Sequence, residues 1–436
     1  MSIEALTLLF FGSLLLFIFL GVPLAFVLGG VSVVFLYFTW GFDSFYMVVS
    51  QIWGTMNSFT LVAIPLFVFM AMILERTGVA KDLFRTMHLW FGGVRGGLAI
   101  GTLIICAIFA AMVGISGAAV VAMGTIALPA MLARGYDKNM ALGVINTGGG
   151  WGILIPPSIL MILYALISGV SVGKMFAAGV GPGILLILLT ATYILIKAHL
   201  RPDLAPALPP EERGTLKEKI LALKSIALPV LIVVMVLGSI IGGITTPTEA
   251  AAMGVLGSLI SAVMYRKLSF ALITEASLRT FKLTGMIMWI LFSAHAFSAA
   301  YQSMGAQALI EGFMAMIPGG DWGVIIAMMF ILFLLGMVLD PVGIMLITLP
   351  VFLPIVDAMG FDPVWFGLLF VLMMEIAYMT PPFGFNLFYL KGIVPPGITM
   401  KDIYRSVIPF VIIELVGLGL LMIFPQIVLY LPEKFF

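Results

Sequence analysis

Charge is what this chain has least of: 9% of its 436 residues are Asp, Glu, Lys or Arg, where a soluble domain carries roughly 25%. Cysteine is almost missing too, and the single Cys106 excludes an internal disulfide and a thiolate metal cluster. There is no His-Glu-x-x-His, no Walker loop and no twin-aspartate motif. No basic run is interleaved with aromatics, and a net charge of +1 offers nucleic acid nothing to bind. What is present is 62% hydrophobic, at a mean hydropathy of +1.23. That composition predicts an all-α polytopic membrane protein in a lipid bilayer. Thirty methionines suit adaptable apolar packing. Residues Met1 to Leu20 lack a basic leader and run on into more apolar sequence, so they read as a first span and not as a cleaved signal.

Two stretches cannot continue an ordinary helix. One is Thr147-Gly-Gly-Gly-Trp-Gly-Ile-Leu-Ile-Pro156-Pro157-Ser158, and the other is Met379-Thr380-Pro381-Pro382-Phe383-Gly384. Proline removes a donor and disfavours helical geometry in the residue before it. In hydrocarbon, a broken backbone survives where it is buried in protein or lines a polar cavity. Spans are expected at about 4–20, 23–40 and 57–76, then an amphipathic connector at 77–94. An interrupted apolar stretch at 95–133, a span at 138–169 broken at its Pro pair, and a span at 173–198 complete the first half. Residues 199–224, with Pro202, Pro206, Pro209 and Pro210, read as a solvated cytoplasmic linker. The second half, 225–436, holds spans at about 225–243, 247–265 and 283–304 and a connector at 305–321. It continues with an interrupted stretch at 322–357, a broken span at 363–392 and a span at 403–430.

The halves match each other. A shift of 225 takes Leu128-Pro129 to Leu353-Pro354, Ala133 to Ala358, Gly135 to Gly360 and Asp137 to Asp362. It also takes Pro156-Pro157 to Pro381-Pro382 and Tyr164 to Tyr389. With small gaps, Pro23 pairs with Pro247, Gly78 with Gly305 and Pro182 with Pro409. The first connector is basic (Arg76, Lys81, Arg85, Arg95), whereas its counterpart holds Glu311 and Asp321 and no basic residue. Cytoplasmic loops are enriched in Lys and Arg, so the two connectors are expected on opposite faces. This follows if 95–133 and 322–357 are re-entrant hairpins, one entering from each face. All basic residues except Lys174 and Lys434 then fall inside, and both termini face the periplasm. An inverted-topology repeat with two re-entrant helical hairpins and two broken helices describes a secondary transporter.

Hairpin tips and helix breaks meeting at mid-depth bring together helix N-termini, which attract anions, and open carbonyls, which bind hard cations. First-half candidates are Ser116 and Gly117 at the tip, with Gly149, Gly152, Ile155 and Pro157 at the break. Second-half candidates are Gly336, Asp340 and Thr348 with Ala377, Thr380 and Phe383. Each glycine could equally permit close helix packing. Asp340 could join a cation site or cap the next helix, and Glu375 could carry a proton or a cation or make a satisfied polar contact. Glu249 reads as a helix-terminus charge, while Glu414 and His295 read as structural. Gly114-Ile115-Ser116-Gly117 resembles the Gly-x-Ser-Gly of rhomboid intramembrane proteases, but four residues explain neither the repeat nor the Pro-Pro breaks. An enzyme is not expected.

The segments Gly149–Tyr164, Thr246-Pro-Thr-Glu-Ala-Ala251 and Thr380-Pro-Pro-Phe-Gly384 resemble the large membrane subunit of TRAP transporters, of the DctM or SiaM type. The resemblance implies an elevator-type, sodium-coupled transporter of the bacterial inner membrane taking up a small organic acid. It implies a separate small four-helix membrane subunit and a periplasmic substrate-binding protein as partners. Carried over, a first sodium site would use the 113–116 tip with Gly152, Ile155 and Pro157. A second would use Gly336, Ala377, Thr380 and Phe383. Ser116, Ser158, Thr348 and Glu375 are the candidates for touching substrate. The chain departs from the family at the serine-poor first tip, at Ala377 where glycine is usual, and at Glu375 where a neutral polar residue is usual. A binding-protein-independent carboxylate transporter of similar architecture is the alternative, and gene neighbours would separate the two.

Overall fold

The computed structural model describes residues 2–209 and 213–436, the side chains of Ser225, Ala308, Glu311 and Ala315 excepted. The charge expected of Glu311 on the second connector therefore lies outside the described residues. All regular structure among them is helical, and seven helices are long and apolar enough to cross a membrane. The helix order repeats. The first half runs Leu24–Trp40, Ser44–Met56, Ala63–Arg76 and Val79–Phe91, followed by the pair Gly97–Val113 and Ser116–Ala133. Lys138–Gly150, Ile159–Ser168 and Val172–Leu200 complete it. The second runs Pro247–Met264, Phe270–Ser303 and Ala306–Ala315, then the pair Gly320–Gly336 and Pro341–Ala358. Pro363–Tyr378, Phe385–Lys391 and Met400–Ile423 complete it. Ile3–Phe19 and Leu216–Ile241 open the two halves, and Gln426–Phe435 closes the chain.

Local chemistry explains the boundaries. Asp137 and Asp362, 225 apart, both accept from first-turn amides as N-caps, and both are preceded by a glycine at φ +75. Thr246 and Glu249 form a reciprocal capping box at the start of Pro247–Met264, the terminal role expected of Glu249. Each hairpin consists of helices of 17 and 18 residues that pack on each other across a short turn. Both Pro-Pro bonds are cis. Tyr136, after the first hairpin, is buried, and its hydroxyl accepts from the Leu98 amide at 3.2 Å. This ties the two ends of the hairpin together, and burial pushes the phenol up to about 12.

Three features differ from expectation. Ser44–Met56 is a helix of its own before the third span. It is short and carries Ser50, Gln51 and Thr55 among apolar residues, so it lacks the continuous run that marks a span. Its Tyr46 and Trp53 stay exposed while Val48 is buried, the pattern of an interfacial helix. Its second-half counterpart is fused with the following span into the 34-residue Phe270–Ser303. Within 199–224, residues 204–208 are not solvated: Ala205 and Leu208 are buried, and backbone bonds join them to Gly92 and Gly96. Pro206 removes a helix donor there but leaves neighbouring carbonyls free to pair. Leu216–Ile241 also begins nine residues before the expected span, held by a capping box of Thr215 and Glu218.

Packing between the halves is reciprocal. Leu24–Trp40 packs on Phe270–Ser303, and Pro247–Met264 packs on Ala63–Arg76. Ile159–Ser168 packs on the second hairpin's Pro341–Ala358, while Phe385–Lys391 packs on the first hairpin's Ser116–Ala133. Lys138–Gly150 meets Met400–Ile423, and Pro363–Tyr378 meets Val172–Leu200. In these pairs each element's partner in the other half is the counterpart of the element that packs on its own counterpart. At the centre, Lys138–Gly150 and Pro363–Tyr378 are buried almost throughout. The outer helices expose apolar side chains such as Phe38, Phe270 and Trp289. That is the surface of a multi-pass membrane protein, whose outside faces hydrocarbon.

Candidate functional site

The first hairpin turns at Gly114, whose φ of +63 ends Gly97–Val113, and extended Ile115 then leads into Ser116–Ala133. Only glycine fits here twice over. The left-handed conformation disfavours a side chain, and a Cβ at Gly114 would stand 2.7 Å from the Pro157 carbonyl oxygen. Gly152 makes the same kind of approach from the other side. A Cβ there would lie 2.8 Å from the Ile115 carbonyl carbon and 2.9 Å from its oxygen and from the Ser116 nitrogen. Tip and break are therefore in backbone contact. Gly149 packs on the backbone of Val120 and Gly117 on the Tyr389 ring. Ile155 turns away, its side chain facing Gly183 on Val172–Leu200.

Ser116 is buried and donates to Asn386 Oδ1 at 2.7 Å. Asn386 lies just after the second break, so this bond crosses between the halves. In the second half, Gly336 lies against Ala377, with a Cβ there only 2.3 Å from the Ala377 methyl. Asp340 caps its own helix, accepting from the Gly343 amide at 3.2 Å. The Thr380 hydroxyl donates to the Ile376 carbonyl at 2.6 Å, and the Thr380 amide donates to Ala377 at 3.0 Å. Phe383 is 54% exposed.

Both tips line one cavity of about 650 Å³, through Ser116 and Gly117 on one side and Asp340 and Pro341 on the other. Tyr378 and Tyr389 flank it, and Glu75, Arg279 and Lys282 lie along another wall. The rest of its surface is largely apolar. Among the four residues expected near substrate, Ser116 alone lines this cavity. Ser158 caps Ile159–Ser168 and donates to the Ile153 carbonyl at 2.6 Å, and Thr348 donates to the Ile344 carbonyl at 2.7 Å. Glu375 is fully buried behind the break.

Sequence reasoning missed several participants. Arg279 and Lys282 were counted only as cytoplasmic charge, yet they reach the cavity; Arg279 also pairs with Glu275 at 3.1 Å. Asn146 and Asn386 are fully buried amides beside the two breaks. A neutral amide inside an apolar span next to a Pro-Pro pair was the available signal. Glu414, which reads as structural in the sequence, accepts from Trp151 Nε1 at 3.2 Å.

Comparison with known proteins agrees with this architecture. Residues 11–427 match the model of the DctM component of tripartite ATP-independent periplasmic transporters. The chain is 36% identical to the C4-dicarboxylate TRAP transporter large permease protein DctM of Vibrio cholerae, over 94% of this chain and 92% of that one. It is 33% identical to the ectoine TRAP transporter large permease protein TeaC of Halomonas elongata, over 96% of each. In fold it is similar to the YdaH transporter of Alcanivorax borkumensis, with a TM-score of 0.64 at 14% identity over 95% of this chain and 98% of that one. The chain thus belongs to the DctM family, the large permease component of TRAP transporters, and is a transporter permease and not an enzyme.

Proposed function

We propose that this chain forms the transport pathway of a sodium-coupled TRAP system, moving a small organic acid inward by an elevator mechanism. The observation that carries this reading is the convergence of both hairpin tips on one cavity. The hairpins, the broken helices and their neighbours make the moving part. The outer spans and amphipathic connectors make the scaffold. Arg76 pairs with Glu275, and Lys138 pairs with Asp402 at 2.6 Å. Each pair joins residues assigned to the cytoplasmic face, which supports an inverted repeat with both termini periplasmic.

The first tip suits sodium. The carbonyl oxygens of Ile115 and Pro157 are brought to the approach between Gly114 and Gly152, and the Ser116 hydroxyl is adjacent. Such oxygens are what a hard cation takes. Ala377, Thr380, Phe383 and Asp340 would serve at the second tip, with Gly336 admitting the close approach. Bound sodium supplies positive charge beside the cavity. The chain adds more through Lys282 and through the N-terminus of Ser116–Ala133, where Ile115 provides no side-chain cap. An anion there gains about 0.3–1 kcal/mol. The relatives named for C4-dicarboxylates and for ectoine support a carboxylate-bearing substrate, delivered by a periplasmic binding protein and assisted by a separate four-helix subunit.

The test is reconstitution of the complete system in proteoliposomes. Uptake of labelled acid is expected only with the binding protein present and an inward sodium gradient. Undiminished uptake with choline replacing sodium would remove the coupling ion. Uptake without the binding protein would favour a stand-alone carboxylate transporter.

A further inference from the structure

Behind the tips lies a group of polar atoms that the transport reading leaves unused. Glu375 and Glu414 are both fully buried, and their carboxyls lie within reach of a shared hydrogen. Apart from that contact, both Glu375 oxygens and Glu414 Oε2 find no partner. Asn386 Nδ2 is unpartnered as well, as are both amide atoms of Asn146. These atoms share one place. A Cβ on Gly150 would stand 3.2 Å from Glu375 Oε1 and 3.4 Å from Asn386 Nδ2. Asn146 lies one turn before Gly150 on the same helix face. Among the described residues, neither carboxyl has an ion-pair partner.

A native interior leaves few buried polar groups unpaired, and a concentration of them marks a missing ion or water. Negative charge at this depth, without a partner, is costly. We propose that Glu375 and Glu414, with the side-chain amides of Asn386 and Asn146, hold a monovalent metal cation between the two halves. This site is separate from the sodium sites at the tips. With the ion bound, the Asn386 amide turns over, so that its oxygen faces the carboxyls and its Nδ2 donates to the Ser116 hydroxyl in place of the bond Ser116 now gives it. That contact links the site to the cavity, because Ser116 lines it. Loading the inner site fixes Asn386, and Asn386 holds the first tip.

The test uses the purified large subunit and sodium as the probe. Equilibrium binding of radioactive sodium is measured at fixed pH, with choline as the balancing cation. Glu375→Gln/Glu414→Gln is expected to bind one sodium fewer per chain than the wild type while keeping the rest. Equal stoichiometry overturns the inner site and leaves the tip sites standing; a wild type that binds no sodium overturns both. A second arm needs no variant that could fail to fold. A hydrophobic carbodiimide reacts with buried carboxyls, and labelling of Glu375 and Glu414 is followed by peptide mass spectrometry. Sodium at ten times its Kd should slow that labelling about tenfold, and choline should not. Labelling that sodium leaves unchanged shows that the pair holds only hydrogen, and the proposal falls.

Discussion

In the first half the broken helix brings a small residue to the tip contact. Gly152 lies where a Cβ would meet the backbone of Ile115 and Ser116 within 2.9 Å. In the second half the residue 225 later is Ala377, and its methyl is accommodated because the hairpin supplies Gly336. Both halves hold break and hairpin in close contact, but the first draws a glycine from each partner, Gly114 and Gly152, whereas against Ala377 the second has one only on the hairpin, Gly336. The tips differ in charge as well. Ile115 cannot cap Ser116–Ala133, so that helix presents a bare N-terminus to the cavity, whereas Asp340 caps Pro341–Ala358 with its own carboxylate. One tip thus favours an anion and the other opposes it. What the repeat preserves is the approach of two backbones, and each copy is free to vary the side chains that border it.

The comparison breaks outright if the halves do not face opposite ways. Lys81 lies on the first connector helix and Asp321 just past the second, at the start of the second hairpin, and both are exposed. Cysteines at these positions, in a background with buried Cys106 replaced by alanine, are expected to react with an impermeant maleimide from opposite sides of oriented vesicles. The readout is all-or-none, and same-side labelling would end the inverted repeat.

Next in size is Gly152→Leu. The atoms a Cβ would meet are backbone, which cannot swing aside as a flexible side chain can. Displacing the tip by even about 1 Å is expected to reduce uptake by about 100-fold or more. The protein should still purify as a monodisperse species. Uptake near wild-type levels would mean that the approach of tip and break plays no part in transport.

Much of this arrangement was readable before any coordinates. Glycine, aspartate and proline are scarce enough in apolar sequence for one offset to stand out, and Asp137, Asp362 and the two Pro-Pro pairs occupy equivalent places in the fold. What escaped reading depends on contacts between distant residues. Asn386 matters because Ser116, 270 positions earlier, donates to it. Lys282 matters because its helix passes the cavity, and no local pattern distinguishes it from the chain's other lysines. Ser44–Met56 escaped for a different reason. An interfacial helix needs only one apolar face, and short ones carry no run long enough to register.

The smallest expected change sharpens the comparison most. Gly336→Ala alone would place a Cβ 2.3 Å from the Ala377 methyl. Overpacking of that kind costs about 1–3 kcal/mol and should lower both the thermal midpoint and uptake. Adding Ala377→Gly moves the glycine onto the broken helix, where the first half has Gly152. The double variant still carries one glycine and one alanine at these two helix ends, so it is expected to recover transport and a stability close to that of the wild type. Recovery would show that the contact asks only for room, on whichever partner provides it. If Gly336→Ala stays inactive with Ala377→Gly beside it, Gly336 contributes something besides space, and the two halves would no longer be interchangeable solutions to one packing problem.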